Sequence, residues 1–267
     1  MKPGSPDIVL CDLDGVVWLA HTPIAGAPEA IARLRDEGIT VVFVTNNSGP
    51  TIAQHEAALA KIGIPAEGAV VSSALAGAFL VNPGERVLTV GGPGVVEAVT
   101  ARGAIPVDPR DEPGEVDAVV VGLRRDFDYS MMDRAASAIR AGARYVATNS
   151  DATYPTPTGA QPGAGSLVAA VTTASGTEPI FGGKPHTPIG RVVQELVGER
   201  WDLDRVVVIG DRVSTDGDFA RALGCRYGLV RSGVTPPGAV VDTPVAYDTP
   251  SIAELADLLI AERRGEG

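Results

Sequence analysis

The stretch Ile8-Val9-Leu10-Cys11-Asp12-Leu13-Asp14-Gly15 decides the fold expected of this chain. Its first four residues form a short apolar run, which is typical of a parallel strand that is buried on both faces. Ligands of open α/β sheets bind at the carboxyl ends of the strands, where Asp12 and Asp14 stand. Gly15 lets the backbone turn away after them. Because burying unpaired carboxylates is costly, the stretch predicts a compensating cation.

Composition bounds the size and the class of the protein. The 267 residues hold one large or two medium domains, and 45% hydrophobic residues supply a well-filled core. The net charge of −11 argues against nucleic acid or an anionic membrane as the main partner. The two cysteines, Cys11 and Cys225, indicate reduced thiols rather than a disulfide framework. No apolar leader is visible, and no apolar run approaches the roughly 18 residues of a membrane span, so a cytoplasmic location is expected.

Apolar runs alternate with helical periodicity along the chain. This is the pattern of βα units, so the predicted fold class is α/β with a parallel sheet and right-handed crossovers. Strong turn signals interrupt the pattern at Asn82-Pro83-Gly84-Glu85 and at Gly182-Gly183-Lys184-Pro185. We interpret these two stretches as hinges between parts of the chain.

Polar side chains close three of the predicted strands. Asp12 and Asp14 close the first, Thr45-Asn46-Asn47 closes the second, and Asp211 and Asp216 follow the run Val206–Ile209. The carboxyl ends of parallel strands meet at one edge, so these groups are expected to gather there. Asp12 and Asp211 can share a hard cation, and Mg²⁺ suits them because water and substrate phosphate complete its shell. Zn²⁺ is disfavoured, since the histidines and cysteines show no ligand spacing.

The same edge offers groups that bind phosphate. Thr45 and the amides around Asn46 and Asn47 supply donors ahead of a helix N-terminus, and Lys184 supplies a positive charge. Each feature alone also fits a structural role: a solvated turn for D-x-D-G, helix caps for the asparagine loop and the second acidic pair, a surface lysine for Lys184. Their occurrence together, in a fixed order, favours a functional site.

The ordered segments resemble the motifs of the haloacid dehalogenase-like (HAD) phosphatases. The matching segments are Asp12-Leu13-Asp14-Gly15, Thr45-Asn46-Asn47, Gly183-Lys184-Pro185 and Gly210-Asp211 with Asp216. The spellings D-L-D-G-V-V-W, T-N-N-S, A-T-N-S-D, P-G-A-G-S and G-G-K-P are similar to the branch of NagD-like, 4-nitrophenyl, phosphoglycolate and pyridoxal phosphate phosphatases (subfamily IIA). This resemblance covers essentially the whole chain. It implies a Rossmann-like core of residues 1–80 and 180–267, with an α/β cap of residues 81–179 inserted between.

The resemblance implies a mechanism. Asp12 would be the nucleophile that forms an aspartyl-phosphate, and Asp14 would be the general acid and base. An aspartate at position 14 argues against the dehalogenase reaction, because dehalogenases look different there. The expected activity is Mg²⁺-dependent hydrolysis of small phosphomonoesters by a HAD-type phosphoric monoester hydrolase.

The resemblance also assigns ligands. Mg²⁺ would be held by the carboxylates of Asp12 and Asp211 and by the main-chain carbonyl of Asp14, while Asp216 would support the metal's waters or Lys184. The phosphoryl oxygens would be bound by Thr45, Asn46, Asn47 and Lys184. Gly217 departs from the family, which usually places an apolar residue there. It predicts a looser helix start and weaker support of the metal, without loss of a ligand.

The cap is expected to decide the substrate. In this branch a cap loop reaches over the active site, and here it resembles Asn149–Pro155, with Tyr154 against the leaving group and Asn149 and Asp151 hydrogen-bonded to it. A well-turned surface loop is the structural alternative. The expected partner is a small phosphorylated metabolite, without nucleic acid or membrane, and the resemblance suggests a homodimer through the cap.

Two other functions fit the same residues. One is a phosphotransferase that passes the phosphoryl group to an acceptor other than water. The other is a non-catalytic module that binds a phosphorylated metabolite. The presence of Asp14 argues against the module, since a sensor has no need of an acid and base.

Overall fold

Two parallel β-sheets organise the computed structural model, which describes residues 4–19, 21–111, 114–156 and 159–266. The strands are β1 (Ile8–Cys11), β2 (Trp18–Leu19), β3 (Thr22–Pro23), β4 (Thr40–Thr45), β5 (Val70–Ser72), β6 (Arg86–Val90), β7 (Ile105–Val107), β8 (Ala118–Val121), β9 (Arg144–Ala147), β10 (Thr153–Thr156), β11 (Gly159–Pro162), β12 (Ile180–Phe181), β13 (Val206–Gly210), β14 (Arg226–Val230) and β15 (Tyr247–Thr249). The α-helices are α1 (Ala27–Asp36), α2 (Ile52–Lys61), α3 (Ser73–Phe79), α4 (Pro93–Ala101), α5 (Tyr129–Arg140), α6 (Ala164–Ser175), α7 (Pro188–Val197), α8 (Asp218–Leu223) and α9 (Ile252–Arg264). Short 3₁₀ turns cover Gly198–Arg200 and Leu203–Arg205, and a π-helical turn covers Val213–Gly217.

The first sheet has the strand order β15-β14-β13-β1-β4-β5, and every neighbouring pair is parallel. Strand β1 lies in its middle, with Ile8 paired to Val206 on one side and to Thr40 on the other. Val9 packs into the apolar cluster with helices α1 and α9, and Leu10 packs into the cluster with α7 and α8. The predicted strand Ile8–Cys11 is therefore confirmed, together with its burial on both faces.

The second sheet has the order β12-β9-β8-β6-β7, again with parallel neighbours. Its strands come from residues 86–181, and Ile180 and Phe181 pair with Val146 and Ala147. Helix α3 joins the two sheets, because it packs against α7 beside the first sheet and against α4 beside the second. We call the second sheet with α4, α5, α6 and the antiparallel hairpin β10–β11 the cap.

The α/β class and the parallel sheet are confirmed. Sequence periodicity missed the short edge strands β7, β12 and β15 and the hairpin β10–β11, since two to four residues are too few to show a period. The stretch Pro106–Gly114, which reads as turn-rich, begins inside β7, and its residues 112–113 lie outside the described residues, as do residues 1–3 of the N-terminus. None of the helices that the structure describes is both long and apolar enough to cross a membrane.

Candidate active site

A cleft of about 1450 Å³ lies between the two sheets. Its core side is formed by residues that follow β1, β4 and β13, and its cap side by residues that follow β6, β8 and β9. The carboxyl ends of both parallel sheets therefore face each other across the cleft. Every site residue predicted from the sequence lines it: Asp12, Asp14, Thr45, Asn46, Asn47, Asn149, Asp151, Tyr154, Lys184, Asp211 and Asp216.

Lys184 joins two carboxylates in this cleft. Its ammonium Nζ donates to Oδ1 of Asp12 and to Oδ1 of Asp216, each at 2.7 Å, and its side chain is only 2% exposed. Burial alone would lower the pKa of Lys184, but the two carboxylates raise it, so the ammonium stays charged. The N–H of Arg212 also donates to Oδ2 of Asp216 at 3.2 Å. Asp216 thus orients the Lys184 ammonium towards Asp12.

Asp211 follows β13 and lies in a cradle of two glycines. A Cβ atom at Gly15 would stand 2.3 Å from Asp211 Oδ2, and one at Gly233 would stand 1.9 Å from the same oxygen. The N–H of Val234 donates to this oxygen at 2.5 Å. Gly15 also has φ +83°, in the left-handed region, so both its conformation and its contact with Asp211 require glycine.

The acidic cluster of Asp12, Asp211 and Asp216 has the chemistry of a Mg²⁺ site. Carboxylate oxygens of the three residues lie within 4.8 Å of one another. Burial raises the pKa of Asp12 well above its ordinary value and that of Asp211 to about 6, and repulsion between the carboxylates adds to both shifts. One ammonium cannot neutralise three carboxylates, so a divalent cation would relieve the remaining charge. Oxygen donors suit Mg²⁺, and the residues present therefore fit it.

Asp14 lies two residues beyond Asp12 and is held by an aromatic side chain. The indole Nε1 of the buried Trp18 donates to Asp14 Oδ1 at 3.0 Å. Burial raises the pKa of Asp14, and the hydrogen bond from Trp18 opposes this shift. A carboxyl group with a raised pKa can carry a proton closer to neutral pH, as a general acid must.

The loop after β4 presents Thr45, Asn46 and Asn47. Thr45 Oγ1 accepts from the Asn47 N–H at 3.0 Å. The Asn46 amide turns towards Lys184: its Oδ1 accepts from the Lys184 N–H and its Nδ2 donates to the Lys184 carbonyl, both at 2.9 Å. The Asn46 side chain therefore positions the loop that carries Lys184.

The cap takes part in building this loop through Asn149 and Asp151. Asn149 is 3% exposed; its Nδ2 donates to the Asn46 carbonyl at 2.6 Å, and its Oδ1 accepts from the Asp151 N–H at 3.0 Å. Asp151 Oδ2 accepts from Asn46 Nδ2 at 2.9 Å. The sequence predicted a hydrogen bond from Asn149 to the substrate. The buried amide instead ties the cap to the core, because both of its ends are bound within the protein.

Tyr154 lies on the hairpin β10–β11 and lines the cap side of the cleft. Its hydroxyl donates to Gln161 Oε1 at 2.7 Å across the hairpin, where the two residues are paired. The guanidinium carbon of Arg125 lies 5.6 Å from the centre of its ring. Tyr154 is thus held by contacts with Gln161 and Arg125 on the cap side of the cleft.

Two buried serines support the site but were not predicted to do so. Ser48 Oγ accepts from the Leu123 N–H and from the Thr148 hydroxyl, each at 3.0 Å, and Ser73 Oγ donates to the Asn46 carbonyl at 2.7 Å. Ser48 and Thr51 are both candidate caps of the following helix by sequence, and Thr51 is the residue that caps α2. No local pattern reveals contacts between residues so far apart in the chain.

Gly217 ends the π-helical turn that leads from Asp216 into α8. A Cβ atom there would stand 3.1 Å from the Tyr227 ring and 3.2 Å from Thr243 Cγ2. The unusual glycine therefore fits close packing against Tyr227, whose hydroxyl donates to the Gly210 carbonyl at 3.2 Å. Its predicted effect on support of the metal stays a prediction.

Comparison with known proteins agrees with this geometry. The haloacid dehalogenase-like hydrolase family model matches residues 9–105, and a HAD-hydrolase-like model matches residues 181–258. The D-glycerol 3-phosphate phosphatase of Mycobacterium tuberculosis is 40% identical over 249 residues, which cover 91% of this chain and 68% of that protein. The acid sugar phosphatase of Staphylococcus saprophyticus is 37% identical, with 78% of this chain and 79% of that protein covered.

A solved structure leads to the same family. The crystal structure of glycerol phosphate phosphatase from Mycobacterium tuberculosis in complex with magnesium superposes with a TM-score of 0.84 at 35% identity, covering 94% of this chain and 77% of that one. The fold, the positions of the motifs and the relatives all indicate the same family. The chain belongs to the haloacid dehalogenase-like hydrolases, in their branch of NagD-like phosphatases (subfamily IIA).

Proposed function

We propose that this phosphatase hydrolyses small phosphorylated metabolites through an aspartyl-phosphate on Asp12, with Mg²⁺ as its cofactor. The observation that carries the proposal is the arrangement of Asp12 at the centre of the cleft. Lys184 holds its Oδ1 at 2.7 Å, Asp211 lies within 4.8 Å, and Asp14 follows two residues later. Phosphoryl transfer requires a positioned nucleophile, a general acid and positive charge that neutralises the phosphoryl oxygens.

In the first step an Asp12 carboxylate oxygen attacks phosphorus, and the ester P–O bond breaks. Asp14 gives its proton to the leaving alkoxide oxygen, a role that its raised pKa supports. The Lys184 ammonium, Thr45 and the main chain of Asn46 and Asn47 bind the phosphoryl oxygens. Asp14 then takes a proton from water, which attacks phosphorus and releases phosphate from Asp12.

Mg²⁺ would be held by carboxylate oxygens of Asp12 and Asp211 and by the main-chain carbonyl of Asp14. When bound, it supplies positive charge that neutralises the phosphoryl oxygens during transfer. Asp216 is already bound to Lys184 and Arg212, which favours a supporting role for it over direct ligation.

We also propose the division into a core of residues 1–80 and 180–267 and a cap of residues 81–179. The two separate sheets support this division. Ile180 and Phe181 pair with β9 of the second sheet, which favours a second boundary two residues later, and Ala74 and Ala78 of α3 share an apolar cluster with the second sheet. The homodimer through the cap and the cytoplasmic location stay predictions.

Release of free phosphate tests the proposal. Wild type, Asp12→Asn and the control Asp133→Asn, an exposed aspartate on α5, are incubated with a panel of small phosphomonoesters in Mg²⁺ or in EDTA. We expect Mg²⁺-dependent release by wild type and by the control, and loss of release in Asp12→Asn. Release that does not depend on Asp12 would overturn the nucleophile. Transfer to an added alcohol instead of water would favour the phosphotransferase.

A further inference from the structure

The basic side chains of the cleft differ in their partners. Within the described residues, four lysine or arginine side chains line the cleft: Arg124, Arg125, Lys184 and Arg212. Three of these have carboxylates within 4.0 Å: Arg124 pairs with Asp108 and Asp126, Lys184 with Asp12 and Asp216, and Arg212 with Asp151. Arg125 alone of the four pairs with no carboxylate among the residues that the structure describes.

Arg125 is nevertheless held in a defined place. It lies on the loop between β8 and α5, and its guanidinium carbon is 5.6 Å from the centre of the Tyr154 ring. Tyr154 is itself fixed by the hydrogen bond from its hydroxyl to Gln161. A cation over an aromatic face is attracted to the ring, while the N–H groups at the guanidinium edge remain available to a ligand.

Arg125 lacks a carboxylate partner among the described residues although the protein is acidic. The protein carries a net charge of −11, and the phosphate end of the cleft holds Asp12, Asp14, Asp211 and Asp216. The neighbouring Arg124 pairs with Asp108 and Asp126, whereas Arg125 has no carboxylate within 4.0 Å among the described residues of this acidic chain. The guanidinium fork matches a carboxylate in geometry and charge.

We infer that Arg125 is a specificity-determining residue that binds a carboxylate at the far end of the substrate, opposite the phosphoryl group. The inference rests on the proposed function and names its substrate class: phosphomonoesters of hydroxy acids. Tyr154 positions Arg125, and Lys184 with the loop after β4 binds the phosphoryl end. The cap then binds the carboxylate end of the substrate, and the core binds its phosphoryl end.

Matched substrate pairs test the inference, because each pair differs only in the terminal group. The pairs are phosphoglycolate with 2-hydroxyethyl phosphate, 3-phosphoglycerate with glycerol 3-phosphate, and 6-phosphogluconate with glucitol 6-phosphate. The ratio of kcat/KM for the carboxylate to kcat/KM for its neutral partner is measured for wild type, Arg125→Gln and Arg125→Lys. The control is Arg140→Gln, which removes the same charge from an exposed site on α5 outside the cleft.

We expect wild type to prefer the carboxylate in at least one pair. Arg125→Gln should lower that ratio by about tenfold or more, the size expected for a charge-assisted hydrogen bond. Arg125→Lys should keep part of the preference, and Arg140→Gln all of it. The length of the favoured pair then reports the span between the two ends of the site.

Three results would overturn the inference: no preference in any pair, an unchanged ratio in Arg125→Gln, or an equal loss in Arg140→Gln. Hydrolysis of 4-nitrophenyl phosphate, which carries no carboxylate, is followed in parallel. If wild type releases nitrophenol only with Mg²⁺ and Asp12→Asn does not, the proposed function stands even where the Arg125 inference fails. If wild type hydrolyses neither this ester nor any pair, the proposed function fails as well.

Discussion

Asn46 holds the Lys184 loop in place, and replacing Asn46 by alanine measures what its hydrogen bonds contribute. The Asn46 side chain makes three hydrogen bonds at 2.9 Å, to the N–H and the carbonyl of Lys184 and to Asp151 Oδ2. At about 1 kcal/mol for each bond, Asn46→Ala should lower the free energy of unfolding by about 3 kcal/mol. The neighbour Asn47 uses its side chain for one hydrogen bond, with the Gly49 N–H at 3.2 Å. Asn47→Ala should therefore cost about 1 kcal/mol.

Urea denaturation in EDTA, followed by circular dichroism, measures both free energies of unfolding. EDTA removes the contribution of bound Mg²⁺, which would otherwise add to the stability of each variant. The reasoning also predicts that kcat falls in Asn46→Ala, because the Lys184 loop loses two of its bonds. Equal destabilisation by the two substitutions, within about 0.5 kcal/mol, would refute the assignment of Asn46 as the residue that fixes this loop.

Three further predictions concern the contact between cap and core and the metal site. Ser48→Ala leaves the Leu123 N–H and the Thr148 hydroxyl without their shared acceptor, so the free energy of unfolding in urea should fall by about 1–3 kcal/mol; an unchanged value would contradict this. Gly94→Ala should destabilise, although alanine is normally better in a helix by about 1 kcal/mol, because the new Cβ would stand 2.0 Å from the Pro50 carbonyl oxygen; a higher Tm would contradict it. Mg²⁺ should raise Tm more at neutral pH than below about pH 5, since burial raises the pKa of Asp211 to about 6 and ligation requires its carboxylate; equal shifts at the two pH values would contradict this. In the metal-free protein, the raised pKa means that the folded state binds the Asp211 proton more tightly than the unfolded state does. The contribution of Asp211 to the free energy of unfolding therefore falls as pH rises from about 4 to about 6.

The core of the fold could be predicted from the sequence because β1 and β13 are continuous apolar runs that end in acidic residues. Such runs show burial on both faces, and the carboxyl ends of parallel strands must meet at one edge. Asp12 and Asp211 could therefore be predicted from these runs, whereas the prediction of Lys184 rested on the turn Gly182-Gly183-Lys184-Pro185 and on the family resemblance. Asp12 and Asp211 lie close together because β1 pairs with β13 in the first sheet. Lys184 follows β12 of the second sheet, so its contact with Asp12 does not follow from that strand order.

The cap side of the site could not be predicted in the same detail. Ser48, Thr148 and Leu123 meet through contacts between distant parts of the chain, and no local period or motif records them. Asn149 was expected to be a substrate ligand because the stretch Asn149–Pro155 resembles the cap loop that reaches over the active site in this branch of the family. Only its burial and its bond to the Asn46 carbonyl show that it joins the cap to the core.

The cap also explains why the substrate is harder to infer than the reaction. Asp12, Lys184 and Asp216 are joined by hydrogen bonds, and their residue types and spacing constrain the chemistry of the site. Arg125 and Tyr154 line the cap side of the cleft, and their contact there follows from position rather than from a motif. The two relatives described above carry different names, D-glycerol 3-phosphate phosphatase and acid sugar phosphatase.

Covalent trapping on Asp12 tests the central claim most directly. In Asp14→Asn, 4-nitrophenyl phosphate should still phosphorylate Asp12, because nitrophenolate leaves without a proton, whereas the following hydrolysis lacks its base. Rapid mixing with Mg²⁺ should give a burst of nitrophenol equal to the enzyme present, and mass spectrometry after acid quench should find one phosphoryl group on the peptide that contains Asp12. The double variant Asp12→Asn, Asp14→Asn should show neither. A burst that survives the loss of Asp12, or a phosphoryl group on another residue, would contradict the account.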